Sequence, residues 1–351
     1  MTKERENNFD LLRIISAIAI IFLHTSVIYF NTIMGGQSID KMQKDVWVTC
    51  LYDGLARFAV PCFVMLSGAF NLANSKNSQY KYFYKKIFNN IGIHTIVFSV
   101  LYFVLFFMLG IIDIVKGQGT ARLWKAVIEL LSGEPYYHMW YLYMMIGVYL
   151  LTPIVIKLKE DIGEKQFNKI SFAFVVAASI SVWTSTYKVK WNLGLSFCYL
   201  GYYMIGYVIR KWGLRKHKSN RIGVCMIGIG FIIEVGVCRL QYLQLLNNSH
   251  YYALFDPYSP LIVISSVFIF AGISRIRFAK NISTVSSLTF VIYLVHAGVL
   301  WMLERILPWT WDCRIWIPVC VVIAGISSAL ISWGYIKIWN DVGVKSPSIA
   351  P

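Results

Sequence analysis

The stretch Phe9–Ser26, "FDLLRIISAIAIIFLHTS", decides the fold. An apolar run of this length is what a helix needs to cross a hydrocarbon core about 30 Å thick. Two residues interrupt it: Arg13 near one end and His24 near the other, which is the middle of the longer apolar run that continues to Ile33. Neither belongs in hydrocarbon without a partner, a cavity or a substrate path. The interval from Arg13 to His24 is about three helical turns with roughly 20° left over. Both side chains therefore share one helix face, about 16 Å apart along the axis.

The rest of the chain repeats this character. Its 351 residues are 57% hydrophobic and 14% charged, with mean hydropathy +0.59. That is too apolar for a water-soluble core and predicts an all-α integral membrane protein. Counting about 20 apolar residues per span gives about ten transmembrane helices. They centre near Ile20, Val60, Ser99, Ile146, Val176, Met204, Ile229, Ser266, Leu294 and Ile323. No stretch between them is long enough to fold alone, so residues 1–351 read as a single membrane domain. The first run is too long for a signal peptide and stays as the first helix.

The formal net charge of +16 raises the question of nucleic acid, and the location of the charges answers it. Lys and Arg outside the spans fall about twice as often on the N-terminal side as on the other, which predicts cytoplasmic termini facing anionic lipid. That side holds Lys3, Arg5, Lys85, Lys86 and the run "RKWGLRKHKSNR" (Arg210–Arg221). The run could take a phosphorylated ligand, but a topogenic loop at the lipid surface is the simpler reading. The expected partner is membrane lipid and not nucleic acid. Seven cysteines are scattered through apolar runs with no CxxC or Cys/His pair, so they read as small buried hydrophobes and no metal is expected. Aromatic clusters such as "YYHMWYLY" (Tyr136–Tyr143) fit an interfacial belt, with sugar stacking open for a few members.

Depth orders the remaining ionisable groups. On helical rise alone His24 lies about 20 Å, and Arg57 about 22 Å, from the cytoplasmic side. His94, Glu234 and His296 come out roughly 13–18 Å deep. Each singly can be a hydrogen-bonded core residue or a helix lock, but a shared layer points to function for the group. The Arg13/His24 register suits an extended ligand that is anionic at one end and reactive at the other. Acyl-coenzyme A has that form. Arg13 would hold a phosphate through its fixed fork of donors, with Asp10 orienting it, and Lys85 and Lys86 would add charge. His24 would stand at the thioester, as general base toward a hydroxyl or as a transient acyl carrier.

Five blocks resemble membrane acyltransferase family 3, the O-acyltransferases of bacterial surface polysaccharides. "RIISAIAIIFLH" (Arg13–His24) has the family's Arg, ten residues, then His. "RFAVPCFVMLSGAF" (Arg57–Phe70) has its Arg, Val-Pro-x-Phe and Ser-Gly in order. "YHMWYLYMMIGVYLLTP" (Tyr137–Pro153), "YLGYYMIGYVIRK" (Tyr199–Lys211) and "SSLTFVIYLVH" (Ser286–His296) are similar to later blocks. Within the family the pattern resembles the group that contains the O-acetyltransferase of enterobacterial common antigen. One departure stands out: "YKKIFNNI" (Tyr84–Ile91) replaces an Arg-x-x-Arg pair that serves coenzyme A in many members.

The resemblance implies a multi-pass protein of the bacterial inner membrane, a cytoplasmic acetyl-CoA donor and a glycan acceptor. His24 and Arg13 would be catalytic. Arg13, Lys85 and Lys86 would hold the donor. Arg57, His138, Trp140, Tyr141 and His296 would line the acceptor path, with His138 near the outer interface. The competing reading is a transporter or flippase of a polysaccharide intermediate, which would also show buried charges and aromatic rims.

Overall fold

A computed structural model describes residues 6–34, 43–183, 192–215, 219–247, 252–309 and 311–341. Lys3, Arg5, Lys216 and Lys218, which count toward the expected orientation, lie outside these. Among the described residues the regular structure is helical throughout. The helices are α1 (Asn7–Met34), α2 (Gln43–Gly54), α3 (Ala59–Asn71), α4 (Tyr80–Ile87), α5 (Ile93–Val115) and α6 (Ala121–Leu131). They continue as α7 (Trp140–Trp183), α8 (Asn192–Arg215), α9 (Asn220–Leu246), α10 (Pro260–Arg275), α11 (Ser283–Ile306) and α12 (Cys313–Asp341).

Seven helical stretches among the described residues are long and apolar enough to cross a membrane, and α10 is a shorter apolar helix. Each of the ten expected centres falls inside a helix. The two inventories differ in three places: α7 carries two expected centres, α10 is short, and α8 is not among the seven. The 44 residues of α7 hold the centres near Ile146 and Val176, and Gly163, at φ 74° and ψ 164°, breaks it. An L side chain rarely adopts that backbone, although no atom lies within 4 Å of where a Cβ would stand.

Contacts with α8 show that the two arms of α7 run antiparallel. Ser196 donates to the Met144 carbonyl at 2.9 Å, and the Thr152 and Tyr203 hydroxyls meet at 2.9 Å, so the first arm and α8 ascend together. In the second arm Val175 backs onto Gly201, whereas Phe167 reaches Tyr207, so the numbers run oppositely.

The molecule is apolar outward and polar inward. Ile232 is 72% exposed and Leu330 65%, while His94, His138, Glu234 and His296 are fully buried. Hydrocarbon solvates the first set, and only partners inside the protein can satisfy the second. This is a multi-pass membrane protein. Small residues bring the central helices together: a Cβ at Gly68 would strike the Tyr203 carbonyl, and one at Gly206 the Met65 carbonyl, which sets the close approach of α3 and α8. On the side away from the start of α1, α6 presents Trp124, Ile128 and Leu131 outward along one exposed stripe, as a helix lying in the interface does.

We call the side where α1 begins proximal and the opposite side distal. The chain is continuous from α2 to α3 through a non-α turn at residues 55–58, where Arg57 sits. A five-residue π segment, Phe88–Gly92, links α4 to α5 and re-aims the latter.

Candidate active site

Three histidines from three parts of the chain meet inside the bundle. His24 of α1 lies 5.3 Å from His296 of α11, ring centre to ring centre, with the planes 28° apart. His296 lies 5.2 Å from His138, edge to face. His138 belongs to the segment before α7 and tucks inward, fully buried, so it does not sit at an outer interface as its position in the sequence suggests. The fold explains the difference. The His138 Nε2–H donates to the Leu294 carbonyl of α11 at 3.3 Å, and the Tyr293 hydroxyl donates to the His138 carbonyl. Tyr102 of α5 donates to the same Leu294 carbonyl at 2.8 Å and accepts from the Gly298 amide at 3.2 Å. Its hydroxyl thus bridges a donor and an acceptor one turn apart on α11 and holds that stretch against α5.

These bonds assign the tautomers. A carbonyl only accepts, so the nitrogen facing it carries the proton. His296 Nδ1 sits 2.7 Å from the Tyr293 carbonyl and 3.3 Å from that of Ile292, and is therefore N–H. In the neutral rings this leaves a bare lone pair on His296 Nε2 and on His138 Nδ1. Both atoms are buried and have no hydrogen-bond partner among the described residues. His24 is the half-buried member of the group, and its outer edge meets Tyr137, 39% exposed, at 4.9 Å. The arrangement is an accessible imidazole backed by two fixed imidazoles with acceptor capacity to spare.

The proximal end of the same α1 face is built differently. Arg13, 7% exposed, donates through Nη1 to Asp10 Oδ1 at 2.7 Å, and Ser286 of α11 donates to that oxygen at 2.8 Å. Asp10 orients the guanidinium as the spacing suggests, because residues three apart share a helix face. The guanidinium also lies over the Phe70 ring at 5.1 Å. A second guanidinium, that of Arg210, covers Phe70 at 4.5 Å, pairs with Glu6 and donates to the Ala69 carbonyl at 3.1 Å. The sequence places Arg210 at the head of a surface loop, but it lies within α8 and is 5% exposed. Lys159 donates to the Leu72 carbonyl at 2.5 Å and lies 4.5 Å above the Tyr207 ring.

The remaining candidates separate. Arg57 pairs with Asp53 at 2.5 Å, donates to the Phe255 carbonyl at 3.1 Å and covers the Phe255 ring at 4.8 Å. It lines a distal cleft next to His24 rather than touching the histidine rings. Glu234 of α9 accepts from Ser265 of α10 at 3.2 Å. His94 of α5 bonds the Tyr335 hydroxyl of α12 at 2.7 Å and packs against Trp339. The five groups of the expected layer thus have four separate sets of partners, and only His24 and His296 pack ring to ring. Tyr141 is 6% exposed and packs on Tyr293, so it supports the histidine group from behind. Trp140 is half-buried and packs on Tyr199, away from the trio. Lys85, exposed, and Lys86, half-buried, lie on α4, which Tyr84 fastens to α7 by a 2.8 Å bond to the Leu150 carbonyl.

Sequence reasoning passes over Asp53, Tyr102, Tyr137, Tyr293 and the Glu6–Arg210 pair. Asp53 is readable in retrospect, since it stands four residues before Arg57. The tyrosines carry no signal that separates them from an aromatic belt, and Glu6 meets Arg210 only through folding.

A multi-pass helical membrane protein with a buried imidazole group and a basic proximal layer is the class that these observations define. The chain belongs to acyltransferase family 3: the family described as "Acyltransferase domain" matches residues 6–336, nearly its whole length. No curated protein and no solved structure matches it. It is accordingly a membrane acyltransferase.

Proposed function

We propose that the protein is an O-acyltransferase that moves an acyl group, acetyl by preference, from cytoplasmic acyl-CoA to a hydroxyl of a cell-surface glycan. It would reside in the bacterial inner membrane with both termini cytoplasmic, which makes the proximal side the donor side. The observation that carries the reading is the α1 face that joins Arg13 to His24, with two fixed imidazoles behind the second. A resemblance to the group acting on enterobacterial common antigen rests on the sequence blocks alone.

The chemistry is a single acyl transfer. His24 removes the proton of an acceptor hydroxyl, whose oxygen attacks the thioester carbonyl carbon. The tetrahedral intermediate collapses, the carbon–sulfur bond breaks, and the departing coenzyme A thiolate takes the proton back from His24, which returns to neutral imidazole. The products are the ester and free coenzyme A. His296 stacks on the His24 ring and holds it in place, with no hydrogen bond between the two rings. Arg13 supplies charge for the donor's phosphates, with its fork already oriented by Asp10. Lys85 and Lys86 add charge without bidentate geometry.

The test is coenzyme A release from acetyl-CoA by purified protein in lipid nanodiscs, with envelope glycan as acceptor. Release by the wild type that is lost in His24→Ala, and that needs more donor in Arg13→Ala, is the expected result. Full activity of His24→Ala would overturn the mechanism. No release by the wild type would leave transport of a glycan intermediate as the better reading.

A further inference from the structure

On the distal side, a cleft of about 340 Å³ opens between α1, α2, the end of α9 and the segment that carries Phe255. Its polar lining includes Asn31, Thr49, Asp53 and Arg57, and its aromatic lining Phe30 and Phe255. Val27, also in the wall, stands one helical turn beyond His24, and Asn31 one turn further on the same face. The lining begins about one helical turn beyond His24 on α1 and does not itself include the histidines.

Two atoms of the lining residues lack a counterpart among the described residues. Asp53 uses Oδ2 on Arg57, while its Oδ1 is buried and accepts nothing. Arg57 spends its two terminal nitrogens on Asp53 and the Phe255 carbonyl, while its Nε is buried and donates to nothing. The missing partners are opposite in kind. An ionised carboxylate can only accept and a guanidinium can only donate, so the complement must offer a donor and an acceptor side by side. Neighbouring sugar hydroxyls do both, and a sugar ring's C–H face packs on phenyl rings. The charges in the wall already cancel, since Asp53 and Arg57 neutralise each other. A uronate or phosphate would bring a carboxylate-like group beside Asp53 with no free cation to meet it, at a desolvation cost that nothing returns.

We propose that this cleft is the acceptor subsite and that it takes an uncharged sugar residue, with Asp53 and Arg57 bonding adjacent hydroxyls. The assignment rests on the acyltransferase reading for the identity of its occupant as acceptor. It replaces Trp140, which packs on Tyr199 away from the histidines, and Tyr141, which packs behind them, with Asp53, Asn31, Thr49 and Phe255.

The test is saturation-transfer NMR on the full protein in nanodiscs. The probes are oligosaccharides released from bacterial envelope polysaccharide, separated into neutral and acidic fractions by anion exchange. The neutral fraction is expected to bind, about tenfold more weakly in Asp53→Asn, as the loss of one charge-assisted hydrogen bond gives. Asn31→Trp, which fills the cleft mouth at an exposed position and spares the fold, is expected to abolish it. Acetyl-CoA affinity should stay within about twofold in both variants. Binding of the acidic fraction alone, binding of neither, or neutral binding indifferent to both variants would overturn the proposal. Sugar binding that is sensitive to Asn31→Trp, without coenzyme A release, would retain the subsite and overturn the acyltransferase mechanism instead.

Discussion

The two ends of the α1 face solve the problem of buried polarity in opposite ways. At the proximal end the cations are engaged: Arg13 with Asp10, Arg210 with Glu6, and Lys159 with the Leu72 carbonyl. In the distal half the imidazoles keep acceptor nitrogens bare, on His138 Nδ1 and His296 Nε2. Charges cannot be left unpaired at such burial, because the cost of an isolated ion is several kcal/mol. A neutral imidazole can carry an open lone pair at a cost nearer 1–3 kcal/mol, which a site for proton transfer can sustain. The proximal layer is therefore a preset charge framework, and the distal group is where a reacting proton has somewhere to go.

Several substitutions would break or sharpen this contrast. The largest effect is expected from His24→Ala, with activity down about 10²–10⁴-fold, as loss of a general base gives, and an unchanged unfolding temperature. Coenzyme A release and a thermal melt on the same sample read the two quantities. A parallel fall in both would make His24 a packing residue.

Asp10→Ala should invert that pattern. It leaves Arg13 buried and removes the acceptor of Ser286, so stability should drop by about 3 kcal/mol, and chemical denaturation in detergent would measure it. A melt within error of the wild type would show that Arg13 is not held by charge. Tyr102→Phe deletes the hydroxyl that ties Leu294 and Gly298 to α5. A loss of about 1–2 kcal/mol is expected, together with a several-fold fall in kcat at unchanged donor KM, since His138 shares the Leu294 carbonyl. A change confined to KM would argue that this scaffold serves binding instead.

The smallest effect concerns an exposed pair at the distal end. The Arg314 hydrogen bonds hold the Asp312 carboxyl well below the usual carboxylate range. A lowered value means that the contribution is complete above the ordinary carboxylate pKa and fades only as pH falls through the lowered one. Both side chains are substantially exposed, so Arg314→Ala should raise the Asp312 titration, seen by NMR, only part of the way to its ordinary position, because the residue 314 amide still donates to it, with no measurable change in the melt at neutral pH.

How much of this was legible in the sequence depends on how far apart the partners lie. The pair Asp10–Arg13 stands three residues apart on one helix and follows from helical periodicity alone, whereas Asp53–Arg57, four apart, reaches from α2 into the non-α turn. The Arg13/His24 register follows in the same way. The reversal point inside α7 did not: the sequence separates centres near Ile146 and Val176, but hydropathy does not mark the single glycine with positive φ where the chain turns back. Nor did the inward position of His138, because its depth comes from bonds to α11 and not from its place before a helix.

By itself the sequence determined that the chain is helical and lies in a membrane. It also determined which groups are paired along one helix, because apolar length and 3.6-residue periodicity are local properties. Only the tertiary structure decided that His24, His138 and His296 meet, that Arg210 is a buried partner of Glu6, and which nitrogens keep their lone pairs. Those facts depend on contacts between distant segments, and in hydrocarbon such contacts are selected by the need to give every buried polar group a partner.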